Sequence, residues 1–574
     1  MPYFPDWDHY AADVASTKYS GLKQVTRQNF SRLKQAWSWE APESEMARRD
    51  PRFRAAHFES TPIFVQNRLF VSTSFSQVAS LDPTTGKAKW VYNPPLDPAS
   101  ARFEWVHRGV AAATVGGKLR IYVGTVDGKL VALDAATGKP ITSFGSKGRV
   151  DLRLARSVPG TNIPLFSVSS PPMIVGQTVV IGSRIEDYPY RGRPSGETLA
   201  FDLTTGKPKW SFSASPDATS NVWAPMSADL KRGLVYLPTG SAANDFYGAA
   251  RPGDNGDANR IVCLRADTGE KVWSQQLVHH DLWDYDLPCA PILADVGGRP
   301  LVVQLTKQGF AFVFDRLRGK PVWPIEERPV PASTMPGEAA SPTQPFPTRP
   351  VPFEMQGFGG KAAGEAQKYL IGPMFTPIAP GKTLLMLPGT LGGASWAGGG
   401  LDPATGWLFV PSITAPTKVE AVIPDPKVSD APHAGRVLGA LNFVTPPPYG
   451  RITAFDLSTG DMKWATAIGG RDGLPARTHV FVTPDFLLAA QESFYAGPAR
   501  NSDGSPSSEP PVERPSLRAI DKRTGRILGK IPLPGSPGGA PMSYAYRGKQ
   551  YIVLPVGGFR EPARLVAFAL RPKP

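Results

Sequence analysis

Cysteine is nearly absent: Cys263 and Cys289 are the only two in 574 residues. They form neither a Cys-x-x-Cys zinc pair nor the Cys-x-x-Cys-His of covalent haem attachment. Two buried thiols are the favoured reading over a disulfide. Histidine is scarce too, and the seven make no Cys/His framework. The one adjacent pair, His279-His280, would point to opposite sides of a strand, so joint binding of one metal is not expected. No Gly-x-Gly-x-x-Gly or Gly-x-x-x-x-Gly-Lys-Ser/Thr occurs, which removes the usual nucleotide-phosphate cradles. No apolar run approaches the roughly 18 residues of a membrane helix. The start, from Met1 to Trp7, lacks the charged and apolar regions of a secretory signal, so the chain is either cytoplasmic or a mature protein with its signal removed. Net charge is +14, from 63 basic and 49 acidic residues. It is scattered, with no dense Lys/Arg tract and no nucleic-acid module, so nucleic acid is not an expected partner. A basic surface suits solubility or an acidic protein partner.

Glycine and proline are abundant, at 57 and 62 residues, and a glycine-ended phrase recurs eight times. It reads Leu81-Asp82-Pro83-Thr84-Thr85-Gly86 first, and its relatives end at Gly138, Gly206, Gly269, Gly319, Gly406, Gly460 and Gly525. Six of the eight are Asp-x-x-Thr-Gly, and five carry Trp four residues on: Trp90, Trp210, Trp273, Trp323 and Trp464. A short apolar run precedes each phrase and another follows, which is strand, tight turn, strand. Gly supplies the positive φ, while Asp and Thr bond nearby backbone. One Trp at a fixed place per repeat suits docking between neighbouring blades. Four strands per repeat in a closed ring leave only short protected edges. The expected fold is all-β, an eight-bladed β-propeller forming one domain over residues 1–574, with residues 1–40 packing on it. Intervals of 50 to 87 residues between turn glycines imply long insertions on one face, where a site would be built. The Pro-rich stretch from Pro321 to Pro352 is the clearest loop, with Trp323, Phe346 and Phe353 as packing anchors.

Chemistry concentrates in His279-His280-Asp281-Leu282-Trp283-Asp284-Tyr285-Asp286, which places three Asp among aromatics. An Asp desolvated against Trp283 and Tyr285 would be a stronger base than a solvated one. A turn whose Asp side chains cap backbone amides is the plainer alternative.

With this segment the chain resembles the quinoprotein dehydrogenases, which use pyrroloquinoline quinone (PQQ) and a divalent metal in an eight-bladed propeller. The resemblance runs through Ser16–Ser20, Val25–Phe30, Leu33–Trp37, the Trp-bearing repeats, Pro321–Pro329, Pro541–Tyr544 and Gly548–Tyr551. Its most specific part is His280-Asp281-Leu282-Trp283-Asp284. It implies Asp284 as catalytic base and Lys307 as the cation beside the reactive carbonyl. It implies Trp223 under the cofactor ring, with Glu59, Arg108, Ser169 and Trp396 as further cofactor contacts; an arginine fork suits a tricarboxylate. It implies a metal held by Asp284 and by a carboxylate from Ser183–Tyr188, where Glu186 and Asp187 both remain open. Many members place Asn after Thr-Gly as a second ligand; this chain has Ser241 there, with Asn244 nearby. Oxygen donors suit Ca²⁺ ahead of Mg²⁺ or a lanthanide.

Many alcohol-oxidising members carry a vicinal disulfide six and five residues before the arginine, where this chain has Arg102 and Phe103. The resemblance is therefore closer to the catalytic part of membrane glucose dehydrogenases, without their N-terminal helices. It implies a soluble periplasmic enzyme in which Asp284 takes a hydroxyl proton as hydride passes to PQQ, with a cytochrome c as acceptor. The expected substrate is a bulky secondary alcohol or a sugar hydroxyl. A non-catalytic scaffold propeller and a carbohydrate-binding propeller are the alternatives.

Overall fold

The structure, a computed structural model, describes residues 7–571 apart from 54, 99–104, 153–159, 161–164, 359–363, 442–443, 469–476, 493–514 and 559–560. Arg102 and Phe103 thus lie outside the described residues.

The turn phrase folds as its residues dictate. In the first sheet Asp82 Oδ1 accepts from the backbone N–H of Thr84 and Thr85 and from the Thr85 hydroxyl. Gly86 donates its N–H to the Asp82 carbonyl and holds φ at +71°, a conformation in which glycine has no Cβ penalty. The turn joins strands Val78–Leu81 and Ala88–Tyr92, the outer pair of a four-stranded antiparallel meander.

Among the described residues, seven such four-stranded sheets and the three-stranded sheet of residues 292–315 follow one another along the chain, while a second three-stranded sheet (Thr383–Met386, Thr417–Val422 and Ala434–Ala440) lies outside this series. The three-stranded sheet within the series, Ile292–Val296, Arg299–Leu305 and Ala311–Asp315, is extended only by a bridge from Phe314 to Pro321. The phrases do not map one to one onto the sheets. Gly406 turns between the first two strands of a sheet, Gly400–Asp402 and Trp407–Ile413, and Gly460 turns between its last two, Gly450–Asp456 and Asp461–Ala467. The last sheet has no such phrase. It is completed by Leu33–Glu40, expected to lie within a segment packed on the ring, which pairs instead with Arg564–Leu570. Both ends of the chain therefore share one sheet.

Six indoles lie against turn glycines of other sheets. A Cβ at Gly138 would stand 2.5 Å from the Trp90 ring, one at Gly86 2.5 Å from Trp37, those at Gly269, Gly319 and Gly525 2.7 Å from Trp210, Trp273 and Trp464, and one at Gly460 2.9 Å from Trp323. Five of these indoles donate Nε1–H to a carbonyl of the turn they cover, those of Pro83, Ala135, Ala266, Arg316 and Lys522. Trp37 belongs to the last sheet and Gly86 to the first. Glycine is required at these turns twice over, for positive φ and for the space the indole fills.

The N-terminal segment runs across the sheets. Backbone carbonyls of Trp7, Val14, Ala15, Thr17 and Lys18 accept from Phe64, Ala228, Leu293, Leu401 and Val482, which lie in or beside the first strands of five different sheets. This strap puts Tyr10 and Ala11 in a buried cluster with Trp396, against Trp223. The Pro-rich stretch is packed rather than loose: Ile325–Pro329 pairs with Thr343–Pro347, Phe353 is buried, and Phe346 stands 5.5 Å from Phe310 between ring centroids. Cys263 and Cys289 are buried free thiols.

Candidate functional site

The segment His280–Asp286 combines both local readings of its Asp residues. Asp281 caps: its Oδ1 accepts from Trp283 N–H (3.0 Å), and its Oδ2 from Tyr285 N–H (2.7 Å), from Asn259 (3.1 Å) and from the Ser241 hydroxyl. Trp283 and Tyr285 turn into the core, where both meet Phe375 edge-on. Their Nε1–H and O–H donate to the carbonyls of Thr376 and Pro388. Asp284, at φ +57°, faces the opposite way.

Lys307, two residues beyond strand Arg299–Leu305, reaches that face. Its Nζ donates to the Asp284 carbonyl (2.7 Å), Asp284 Oδ1 (2.8 Å) and Asp286 Oδ2 (2.9 Å). Asp286 Oδ1 accepts from Ser241 N–H at 2.7 Å. Burial opposes the charge on Lys307, but the two carboxylates hold its ammonium well above lysine's usual value. Burial pushes Asp284 well above the ordinary carboxylate range, and the negative charges of Asp286, Asp245 and Asp187 add to this against the pull of Lys307. The rise thus comes from desolvation first and from crowded negative charge second. Asp286 is held below its usual range, Lys307 and the Ser241 amide overcoming burial.

Two more carboxylates belong to this electrostatic group. Asp187 is raised to about 6 by burial and by Asp286 and Glu186, with Arg184 opposing. Asp245 is raised well above its usual range by burial, then by Asp187, Asp286 and Asp281. The two loop candidates thus part company: Asp187 feels the Asp286–Lys307 group, while Glu186 Oε1 pairs with Arg184 Nη1 at 3.2 Å. Ser241 spends its amide on Asp286 and its hydroxyl on Asp281. Asn244 donates its side-chain amide to the His433 carbonyl at 2.7 Å. Asp245, next to Asn244, carries no motif in the sequence.

The second half of the site is built on Arg108. Its guanidinium carbon lies 5.3 Å from the Trp223 ring centroid and 4.9 Å from that of Trp396. Nη1 donates to the Ser169 hydroxyl (3.0 Å), which donates in turn to the Trp223 carbonyl (3.2 Å). Nη2 stands 3.0 Å from Glu59 Oε2 as an ion pair without hydrogen-bond alignment. The two halves adjoin. Gly393 and Ala394, just before Trp396, donate N–H to the carbonyls of Lys307 and Thr306. Gly240, just before Ser241, donates to Asn221, two residues from Trp223. All the expected cofactor contacts therefore gather around Arg108 and Lys307. Sequence reasoning missed Tyr10, Asp245, Arg477, His479 and Glu492.

A planar ligand bearing carboxylates fits the Arg108 side. Arg108 Nε and Trp396 Nε1 are buried N–H groups with no hydrogen-bond partner among the described residues, and such donors suit carboxylate oxygens. Two indole faces suit a flat ring. For a metal the test divides. Four mutually interacting carboxylates sharing one lysine suit a cation electrostatically, yet among the described residues no three His, Cys, Asp or Glu side chains form a ligand group.

Comparison with known proteins bears on the family. The model of the PQQ glucose/ethanol/alcohol dehydrogenase β-propeller domain matches residues 7–552. Quinoprotein glucose dehydrogenase A of Acinetobacter calcoaceticus is 30% identical, over 96% of this chain and 77% of that protein. The quinate/shikimate dehydrogenase (quinone) of Acinetobacter baylyi is also 30% identical, over 97% of this chain and 77% of its own length. The crystal structure of the quinohemoprotein alcohol dehydrogenase of Comamonas testosteroni superposes with a TM-score of 0.71 at 22% identity, covering 99% of this chain and 81% of that one. Match and sheet architecture together place the chain in the PQQ-dependent glucose/ethanol/alcohol dehydrogenase β-propeller family.

Proposed function

We propose that this chain is a PQQ-dependent dehydrogenase that oxidises an alcohol, a bulky secondary alcohol or a sugar hydroxyl, to a ketone or aldehyde. The seven four-stranded sheets and the three-stranded sheet of residues 292–315 are its eight blades, closed by the shared terminal sheet, within one domain spanning 1–574. The observation that carries the reading is one ammonium, that of Lys307, held between Asp284 and Asp286; the Lys307 backbone pairs with the segment leading to Trp396, one of the two indoles against the Arg108 guanidinium. Arg108 and Ser169 would hold carboxylates of PQQ, with Trp223 and Trp396 against its ring and Glu59 fixing Arg108. When bound, PQQ supplies the two-electron acceptor for the carbinol C–H.

The chain's own residues do the rest. Asp284 takes the hydroxyl proton on its carboxylate, and its desolvation strengthens it as a base. Lys307 orients that carboxylate through Oδ1 and places positive charge where negative charge develops. Asp286 and the Ser241 amide keep Lys307 in place. Asp187 and Asp245, oxygen donors near Asp284 in the electrostatic sense, support Ca²⁺ ahead of Mg²⁺ or a lanthanide, with Glu186, Ser241 and Asn244 as flanking candidates. A periplasmic setting and a cytochrome c acceptor complete the proposal; the basic net charge suits an acidic electron-transfer partner. No helix among the described residues is long and apolar enough to cross a membrane.

Equilibrium dialysis against PQQ with Ca²⁺, Mg²⁺ or La³⁺ tests this. Metal-dependent uptake of about one PQQ per chain is the expected result. No uptake with any of the three would leave the scaffold or carbohydrate-binding propeller as the better account.

A further inference from the structure

Behind Glu59 lies a group of buried charges that the mechanism does not use. Glu59 Oε1 accepts from Arg477 Nη1 at 3.4 Å, Arg477 Nε donates to Glu492 Oε2 at 2.9 Å, and Glu492 Oε1 stands 3.1 Å from His479 Nε2. The His479 ring then packs on Trp396 with centroids 5.3 Å apart, and Trp396 lies against the Arg108 guanidinium. The contacts form a closed circuit: Arg108, Glu59, Arg477, Glu492, His479, Trp396 and back to Arg108. Every charged side chain in it is at most 13% exposed.

The circuit joins the first sheet's approach, which carries Glu59, to strands Thr478–Val482 and Leu487–Gln491, beside which Arg477 and Glu492 sit. It balances charge internally, with two carboxylates against two guanidinium groups. Buried ions of this kind keep their geometry only while each has its partner. Two members of the circuit, Arg108 and Trp396, also carry buried N–H groups without a hydrogen-bond partner among the described residues, and His479 Nδ1 is buried without one as well.

We infer that Arg477, braced by Glu492 and His479, is a positioning residue that sets Glu59 and Trp396 and thereby fixes Arg108 for a carboxylate-bearing planar ligand. The inference rests on the PQQ reading proposed above. Arg477 acts through Glu59 and Glu492; His479 acts through Trp396. Losing Arg477 leaves Glu59 and Glu492 as uncompensated buried carboxylates, and Glu59 is then free to draw the Arg108 guanidinium away from the two indoles.

PQQ titration followed by tryptophan fluorescence, in excess Ca²⁺, tests it with wild type, Arg477→Gln, Arg477→Lys and the charge-balanced double variant Arg477→Gln/Glu492→Gln. Arg436→Gln, which removes an exposed pair with Glu420, is the surface control, and thermal melts accompany each titration. The expected result is a PQQ Kd raised about 10- to 100-fold in Arg477→Gln. Arg477→Lys and the double variant should recover at least part of that loss, and Arg436→Gln should match wild type. Wild-type affinity in Arg477→Gln overturns the inference. So does a loss that neither the Lys variant nor the double variant recovers, or one that only follows a collapsed melt. A wild-type chain that binds no PQQ removes the PQQ reading itself, and this inference with it.

Discussion

Replacing Lys307 with Met keeps the length of the stem and removes only the ammonium. Three donated contacts disappear, to the Asp284 carbonyl, Asp284 Oδ1 and Asp286 Oδ2, at a side chain only 7% exposed. Removing one partner from a buried ion pair costs about 3–5 kcal/mol, because the charge left behind is uncompensated. The two carboxylates will not share that cost equally. Asp284 already sits well above the ordinary carboxylate range, so it can take a proton. Asp286 is held low mainly by Lys307, so it carries most of the penalty. Urea denaturation at pH 7 in EDTA should show Lys307→Met less stable by about 3–5 kcal/mol. Adding Asp286→Asn should return about half of that, since the residual charge is then gone. A single variant within about 0.5 kcal/mol of wild type, a change typical of surface substitutions, would refute the reasoning, as would a double variant less stable than the single.

Other outcomes follow from the same structure. Gly138→Ala places a Cβ 2.5 Å from the Trp90 ring at φ +72°, whereas Gly233→Ala at φ +66° meets nothing within 4 Å. Denaturation midpoints should report losses of about 2–5 kcal/mol for the first and about 1–2 kcal/mol for the second. Glu43 is buried, and burial raises its carboxyl from 4.5 to about 7 despite hydrogen bonds from Ser74. The folded state therefore binds its proton more tightly than the unfolded state, and the contribution is full below pH 4.5 and lost as pH rises through about 7. At about 1.4 kcal/mol per pH unit this is at most ~3.5 kcal/mol, and Glu43→Gln should flatten that slope in melts between pH 4.5 and 7. Gln344 accepts from the His279 N–H (2.8 Å) and donates to its carbonyl (2.6 Å). Gln344→Ala should speed amide exchange across residues 279–286 about tenfold or more, for a loss of about 1.5 kcal/mol.

What the sequence disclosed depended on range along the chain. The hairpin phrase was readable because Asp, Thr and Gly act within five residues. Its position in a sheet was not, since the same turn serves either hairpin, and so Gly406 was counted as a repeat of its own when it shares a sheet with Gly460. The final sheet escaped because its strands come from the two ends of the chain, 33–40 and 542–570. Asp284 and Lys307 were legible through short local motifs. The different surroundings of Glu186 and Asp187 needed coordinates, because they depend on where Arg184 reaches. Asp245 was hidden beside the more suggestive Asn244. Arg477, His479 and Glu492 have no motif to betray them. Their one signal is two basic residues, Arg477 and His479, at the mouth of the otherwise apolar run Val480-Phe481-Val482.

The central claim is that Asp284 and Lys307 serve a PQQ-dependent alcohol oxidation, and a dye-linked assay tests it most directly. Apo-protein would receive PQQ and Ca²⁺ singly and together, with sugars, primary alcohols and secondary alcohols as substrates and Asp284→Asn as control. The account predicts dye reduction that requires both additions, is greatest with a secondary alcohol or sugar, and falls at least about 100-fold in Asp284→Asn, as expected on losing a general base. Equal activity in wild type and Asp284→Asn, or no activity on any substrate by a chain that binds no PQQ, would contradict it.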